Sequence, residues 1–160
     1  MKPALVFIPG LLCDADLWQY QLAHLAAVAD CQVADHGSHS DIHQQAQAIL
    51  ARAPARFALA GLSMGGYLAL EILRLAPERV ERVALLNTSA RADTEQQRTQ
   101  RLEMIALAGR GRFLGVSHAL LPRLVAAERV GDHQLARTIM AMARHAGRDV
   151  FIRQQQTILS

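Results

Sequence analysis

"FALAGLSMGG", residues 57–66, carries the pattern that decides the fold. An apolar run, Phe57 to Ala60, stops at Gly61, and Ser63 follows with one glycine two places before it and another, Gly65, two places after. A serine hydroxyl is a weak nucleophile until a base takes its proton, and it must stand clear of its own backbone to reach a carbonyl. A sharp strand-to-helix turn gives that exposure. It also brings strand and helix so close together that the flanking positions must be nearly free of side chain, and Gly61 and Gly65 meet that need. With Gly and Ser each near ~7% of residues, chance produces a G-x-S-x-G in roughly one chain in twenty of this length. The context makes the pattern more specific: it follows an apolar strand, precedes an amphipathic helix and lies downstream of a second strand ending in Pro9-Gly10.

Outward from this turn the periodicities alternate. Ala4 to Ile8 and Phe57 to Ala60 are short continuous apolar runs suited to strands buried on both faces, and Cys31 to Ala34 and Val83 to Leu86 add two more. Between them, helical spacing predicts helices over Asp16 to Ala29, with Asp16 as cap, over Asp41 to Ala53, and over Met64 to Ala76. Strands alternating with helices predict a doubly wound, mostly parallel α/β sheet. After Thr88 the pattern changes. From Asp93 onward only helical periods occur, divided at Gly109 to Gly111, Pro122, Gly131-Asp132 and Gly147, with Asp93 and Gln96 resembling a capping box and Asp132 capping a last helix. The expected organisation is an α/β part over residues 1–91 and an all-helical lid over 92–160.

The helix after Ser63 also supplies electrostatics. Its first N–H groups are unpaired and its dipole is positive at that end, so the Met64 amide can donate to an oxyanion on an attacked carbonyl. In "FIPGLLCD", residues 7–14, Gly10 lets the backbone approach closely, and the Leu11 amide is the natural second donor. The candidate site is therefore Ser63 as nucleophile, with Met64 and Leu11 as backbone donors.

Composition narrows the remaining classes. Just over half of the 160 residues are apolar and about a fifth are charged, the balance of a folding domain. The net charge is +3, and its basic excess lies after residue 90, where eleven Lys or Arg face six acids. Those arginines are dispersed along helical patterns, without the clustered stripe of a nucleic-acid binder. Two cysteines, Cys13 and Cys31, form neither a metal-ligand pattern nor a disulfide framework, which points to a reducing, cytoplasmic setting. The start, "MKPALVFIPGLLCDA", mimics a leader, but Pro9-Gly10 break its apolar run and Leu12 before Cys13 is too large for a cleavage site. No stretch of some 18 apolar residues predicts a membrane span.

Taken together, these segments resemble the α/β-hydrolase superfamily, specifically its small, capped, esterase-like members. The likeness rests on "FIPGLLCDADLW" as oxyanion segment, "AGLSMGG" as nucleophile elbow, "LRLAPERVERVALLNTSA" as the next helix end and strand, and the helices from Asp93 as the lid. It implies Ser63 as nucleophile and Met64 and Leu11 as oxyanion donors, with no metal or organic cofactor and a small-molecule acyl substrate. Pro9 departs from the family, which frequently has histidine before the glycine; the donor is main chain, so this affects loop support.

The family order places acid and histidine after the serine, on loops that follow later strands. Downstream of Ser63 lie His118, His133 and His145, with Asp93, Asp132 and Asp149 as acids, all within or beside helical patterns, where they read as surface or lid residues. Upstream, Asp35, His36, His39, Asp41 and His43 allow an Asp, His, Ser order, but they fall in a loop and helix start. The expectation is an N-terminal portion of an esterase-like protein, its final strands, triad acid and histidine lying beyond Ser160, with self-association through the incomplete sheet. The same elbow also serves acyl transfer and carbon–carbon bond hydrolysis. A non-catalytic binding module is the alternative if the chain is complete.

Overall fold

The computed structural model describes residues 2–111 and 113–160; Met1, the first residue of the leader-like start, and Arg112, inside the predicted lid, lie outside the described residues. Four strands, β1 (Ala4–Ile8), β2 (Asp30–Val33), β3 (Phe57–Leu62) and β4 (Val80–Leu86), form one sheet in the order β2-β1-β3-β4. Every neighbouring pair is parallel. The α-helices are α1 (Gln19–Leu25), α2 (Ile42–Arg52), α3 (Met64–Leu75), α4 (Glu95–Gly109) and α5 (His133–Leu159).

Strand side chains alternate between faces, and this explains how both faces are covered. Val6 and Ile8 of β1, with Phe57 and Leu59 of β3, point into one cluster with Ala46 and Ile49 of α2 and Leu68 and Ile72 of α3. Leu5 and Phe7, with Ala60 and Leu62, point the other way, onto Trp18 and Leu22 and Leu25 of α1. The apolar runs are continuous because each face has helices to meet. The sheet is doubly wound, as the strand–helix alternation predicts.

Differences from the sequence reading lie at element ends. The predicted helix from Asp16 begins instead as a 3-10 turn, Ala15–Trp18, capped by Asp14, whose carboxylate accepts the Asp16 amide at 3.0 Å. Trp18, 3% exposed, is drawn onto Phe7 with ring centroids 4.6 Å apart, and its φ of −104° separates the turn from α1. β3 runs two residues further than expected, through Gly61 and Leu62, because these pair with Leu85 and Leu86 of β4. The capping box at α4 lies one residue later than predicted, on Thr94 and Gln97, since the Asp93 carboxylate instead pairs with Arg101.

Beyond Thr88 the described residues hold no strand. Asp132 caps α5 as predicted, accepting from Gln134 and Leu135 amides at 3.0 and 2.9 Å. Gly147, at φ 75° and ψ 178°, breaks α5 where the sequence marks a division. The half after the break lies on the α/β core: Arg153 donates to the Gly37 carbonyl at 2.7 Å, Thr157 to the His39 carbonyl at 2.9 Å, and Ile158 packs on the α2–α3 cluster.

Candidate active site

Ser63 sits at the junction of β3 and α3 with φ 53° and ψ −116°. An L-residue with positive φ is strained by about 1–3 kcal/mol, so neighbours must hold it there. They do so through every backbone polar atom: its N–H donates to the Leu86 carbonyl at 2.9 Å, and its carbonyl accepts from Thr88 Oγ1 at 2.8 Å and the Gly66 amide at 2.9 Å. Ser63 is thereby held at a half-exposed position, between the strand end and the first turn of α3, and its side chain makes no cap hydrogen bond to the helix.

The glycines show how tight the junction is. A Cβ at Gly61 would overlap the backbone of Gly65, and one at Gly65 would overlap the carbonyls of Ile8 and Pro9. The third glycine, Gly66, was not singled out from sequence; a Cβ there would overlap Thr88, the residue that holds the Ser63 carbonyl. Thr88 likewise carries no sequence signal beyond marking the end of the apolar pattern. Its role depends on β4 lying beside β3, a tertiary fact.

Gly10 packs against the serine: its Cβ position is 3.6 Å from Ser63 Cβ. The Cys13 amide donates to the Gly10 carbonyl at 3.0 Å, closing a four-residue turn in which Leu12 takes φ 59°. Among the described residues, the amides of Leu11, within this turn, and of Met64, first in α3, donate to no protein acceptor. Unused main-chain N–H groups are the kind of donor that can stabilise the negative charge forming on an attacked carbonyl oxygen. Behind the turn, Leu11 and Leu12 join Ala108, Phe113, Ala143 and Phe151 in an apolar cluster, with the two phenylalanine rings 5.2 Å apart.

The histidines are placed elsewhere. His145 is 82% exposed and pairs with Asp14 at 3.0 Å, His43 pairs with Glu71 at 3.0 Å, and His118 and His133 stand exposed on helical segments. His36 is buried and meets the Gly10 carbonyl at 2.9 Å, which removes it from an Asp, His, Ser arrangement. Among the described residues no histidine ring hydrogen-bonds Ser63. Burial holds the His36 ring below its ordinary value of 6.5, against the opposing pull of the Gly10 carbonyl and the charges of Asp35 and Asp14. Burial, aided by Asp14, pushes the Cys13 thiol up to about 11, so it is a protonated packing group at neutral pH.

A cavity of about 550 Å³ opens beside the loop, lined by Cys13, Asp14, Asp35, His36, Val150 and Arg153 among others, but Ser63 does not line it. Among the described residues no three His, Cys, Asp or Glu side chains cluster as a metal site, and no helix is long and apolar enough to cross a membrane.

A parallel sheet wound on both faces, with a serine on a glycine-flanked strand-to-helix turn beside a strand ending in Pro-Gly, is the α/β-hydrolase fold. The whole chain superposes on a thermophilic esterase from Thermogutta terrifontis at TM-score 0.86 and 20% identity, covering 64% of that chain. It likewise superposes over its full length on an enol-lactonase from Burkholderia xenovorans, at TM-score 0.80 and 22% identity, covering 66% of that protein. A hydrolase from Pseudomonas aeruginosa matches over 99% of this chain and 64% of its own, at TM-score 0.82 and 20% identity. This chain thus spans about two-thirds of the length of these structures. No protein-family model matches it, and no curated protein does.

Proposed function

We propose that the chain is the nucleophile-bearing part of a serine hydrolase acting on a small ester, thioester, lactone or related acyl bond. Ser63 Oγ attacks the substrate carbonyl and its proton passes to a histidine base, leaving a tetrahedral oxyanion between the Leu11 and Met64 amides. Collapse expels the leaving group, to which the base returns the proton, and water then hydrolyses the Ser63 acyl-enzyme by the same route in reverse. The strained backbone of Ser63 at the β3–α3 junction, with the Leu11 and Met64 amides left without a protein acceptor, is the observation that carries this reading. It is supported by the structural neighbours, which include an esterase and an enol-lactonase. Of the predicted lid, residues 92–146 act as the cap, and Phe113 from it, with Phe151 from the core-packed half of α5, makes the surface over the oxyanion loop apolar. The chemistry calls for no metal or organic cofactor, and the free Cys13 and Cys31 suit the cytoplasm.

No histidine of the described residues hydrogen-bonds Ser63, and in this reading the base and its acid come from elements additional to these 160 residues, so that the isolated chain turns over little substrate. A fluorophosphonate probe followed by peptide mapping tests the assignment, on the protein carried through whatever its gene encodes beyond Ser160. The expected result is a single adduct on Ser63, lost in Ser63→Ala. An unlabelled Ser63 in folded protein would favour a binding module. Acyl transfer and carbon–carbon bond hydrolysis share the adduct and separate by whether an added alcohol or a diketone is consumed.

A further inference from the structure

Oxyanion donors must be aimed before the reaction, because a donor that reorients during it gives back most of its advantage. Leu11 lies in a loop, not a helix or strand, so something must hold its peptide plane. Two side chains from distant parts of the sequence do. His36, just after β2 and 5% exposed, places Nε2 2.9 Å from the Gly10 carbonyl oxygen. Gln154, on α5 and 1% exposed, accepts the Leu12 amide on Oε1 at 3.0 Å and brings its Nε2 within 3.1 Å of the same His36 Nε2.

The Gly10 carbonyl and the Leu11 N–H belong to one planar trans peptide and point in opposite directions. Pinning the oxygen from the His36 side therefore turns the Leu11 N–H to the other side. Gln154 fixes the next peptide. That restraint is needed because Leu12 at φ 59° occupies a conformation ordinarily left to glycine.

Resting on the reading of Ser63 as nucleophile, we propose that His36 and Gln154 are positioning residues that aim the Leu11 amide into the oxyanion hole. The two ring contacts compete: Nε2 either donates to the Gly10 oxygen or accepts from the Gln154 NH₂, and the shorter contact, 2.9 against 3.1 Å, favours donation to Gly10. The Leu12 amide needs an acceptor, so Oε1 of Gln154 faces it and the Gln154 NH₂ faces His36. In the proposed arrangement His36 carries its proton on Nε2 and donates it to the Gly10 oxygen, which also accepts the Cys13 amide; Nδ1 is then bare, and the Gln154 NH₂, facing an N–H, makes no hydrogen bond to the ring. The alternative, in which Nε2 accepts from Gln154, leaves the Gly10 carbonyl unpinned by the ring.

Two measurements test this, and they fail separately from the nucleophile assignment. In ¹⁵N spectra of ring-labelled protein, His36 is expected to show a protonated, pyrrole-type Nε2 and a bare, pyridine-type Nδ1. A pyridine-type Nε2 overturns the proposal whether or not Ser63 reacts. For fluorophosphonate labelling, His36→Leu and Gln154→Met are expected to lower the rate about tenfold or more at temperatures where circular dichroism shows them fully folded. His36→Gln, whose Nε2 can donate to the same carbonyl, is expected to stay within about threefold of wild type, a rescue that bulk packing does not explain. Equal labelling of the folded variants and wild type overturns the proposal. Absence of labelling in wild type counts against the nucleophile, and the His36 tautomer then decides the orientation of the loop on its own.

Discussion

At Ser63, three constraints act on one residue. A positive φ strains it, the Leu86 carbonyl, Thr88 hydroxyl and Gly66 amide hold it, and glycines clear the space around it. That combination is costly for a turn that does nothing, which is why the geometry is informative about chemistry. His36 shows a different use of burial. Folding favours its neutral form, since burial outweighs the pull of the Gly10 carbonyl and of Asp35 and Asp14, while His145 and Arg153 share the nearby cavity wall. Its folded value is therefore depressed. As pH falls below the ordinary 6.5, the unfolded ring takes up a proton that the folded ring refuses, so the unfolded state is favoured. Stability should drop through that window with a slope of up to about 1.4 kcal/mol per pH unit from this residue, and His36→Gln should flatten it. Urea unfolding at pH 7.5, 6.5 and 5.5 measures the slope. A slope identical in both proteins removes His36 as its source.

Among the elements, α2 and β3 are joined by a short turn whose carbonyls find a partner across the fold. Arg79, just before β4, donates to the carbonyls of Ala53, Pro54 and Ala55 at 2.9, 2.8 and 3.2 Å and lies 5.7 Å from the centre of the Phe57 ring. One guanidinium thus closes the end of α2 and the entry to β3, the strand that carries the serine. Arg79→Ala leaves these carbonyls without their charged donor and should cost about 2 kcal/mol, with Arg79→Lys recovering only part because an ammonium cannot match the planar fork. Chemical denaturation of the three proteins would show it. α5 has a comparable role: its second half bridges β2's loop, the oxyanion turn and α4, through Arg153, Gln154 and Gln155, the last accepting from Arg101 at 3.0 Å.

Across the whole molecule, the two outer strands differ. β4 pairs only with β3 among the described residues, and its apolar residues Val83 and Leu85 are 41% and 43% exposed although they have the pattern of a buried strand. An edge strand with bare apolar faces is a template for pairing with another chain. The 160-residue chain is expected to self-associate through β4, read as a concentration-dependent shift in sizing chromatography. Leu85→Lys should move it toward the monomer, and an unchanged elution profile would place the association elsewhere or deny it.

The sheet, its parallel winding, the serine turn and its two flanking glycines were legible because they depend on local order: an apolar run, a small residue, a helical period. Short-range geometry leaves few ways to satisfy "AGLSMGG" after a strand. Element ends were less legible, since Trp18 broke a helix to reach Phe7 and Asp93 left its predicted cap for Arg101. The holders of the site were not legible at all. Thr88 lies 25 residues from Ser63, His36 lies 26 from Gly10 and Gln154 lies 142 from Leu12. The sequence by itself determined where Ser63 and its flanking glycines stand, because one strand, one turn and one helix build that bend from adjacent residues. Only the tertiary structure decided what keeps those groups still, because a hydrogen bond between residues far apart in the chain leaves no periodic trace.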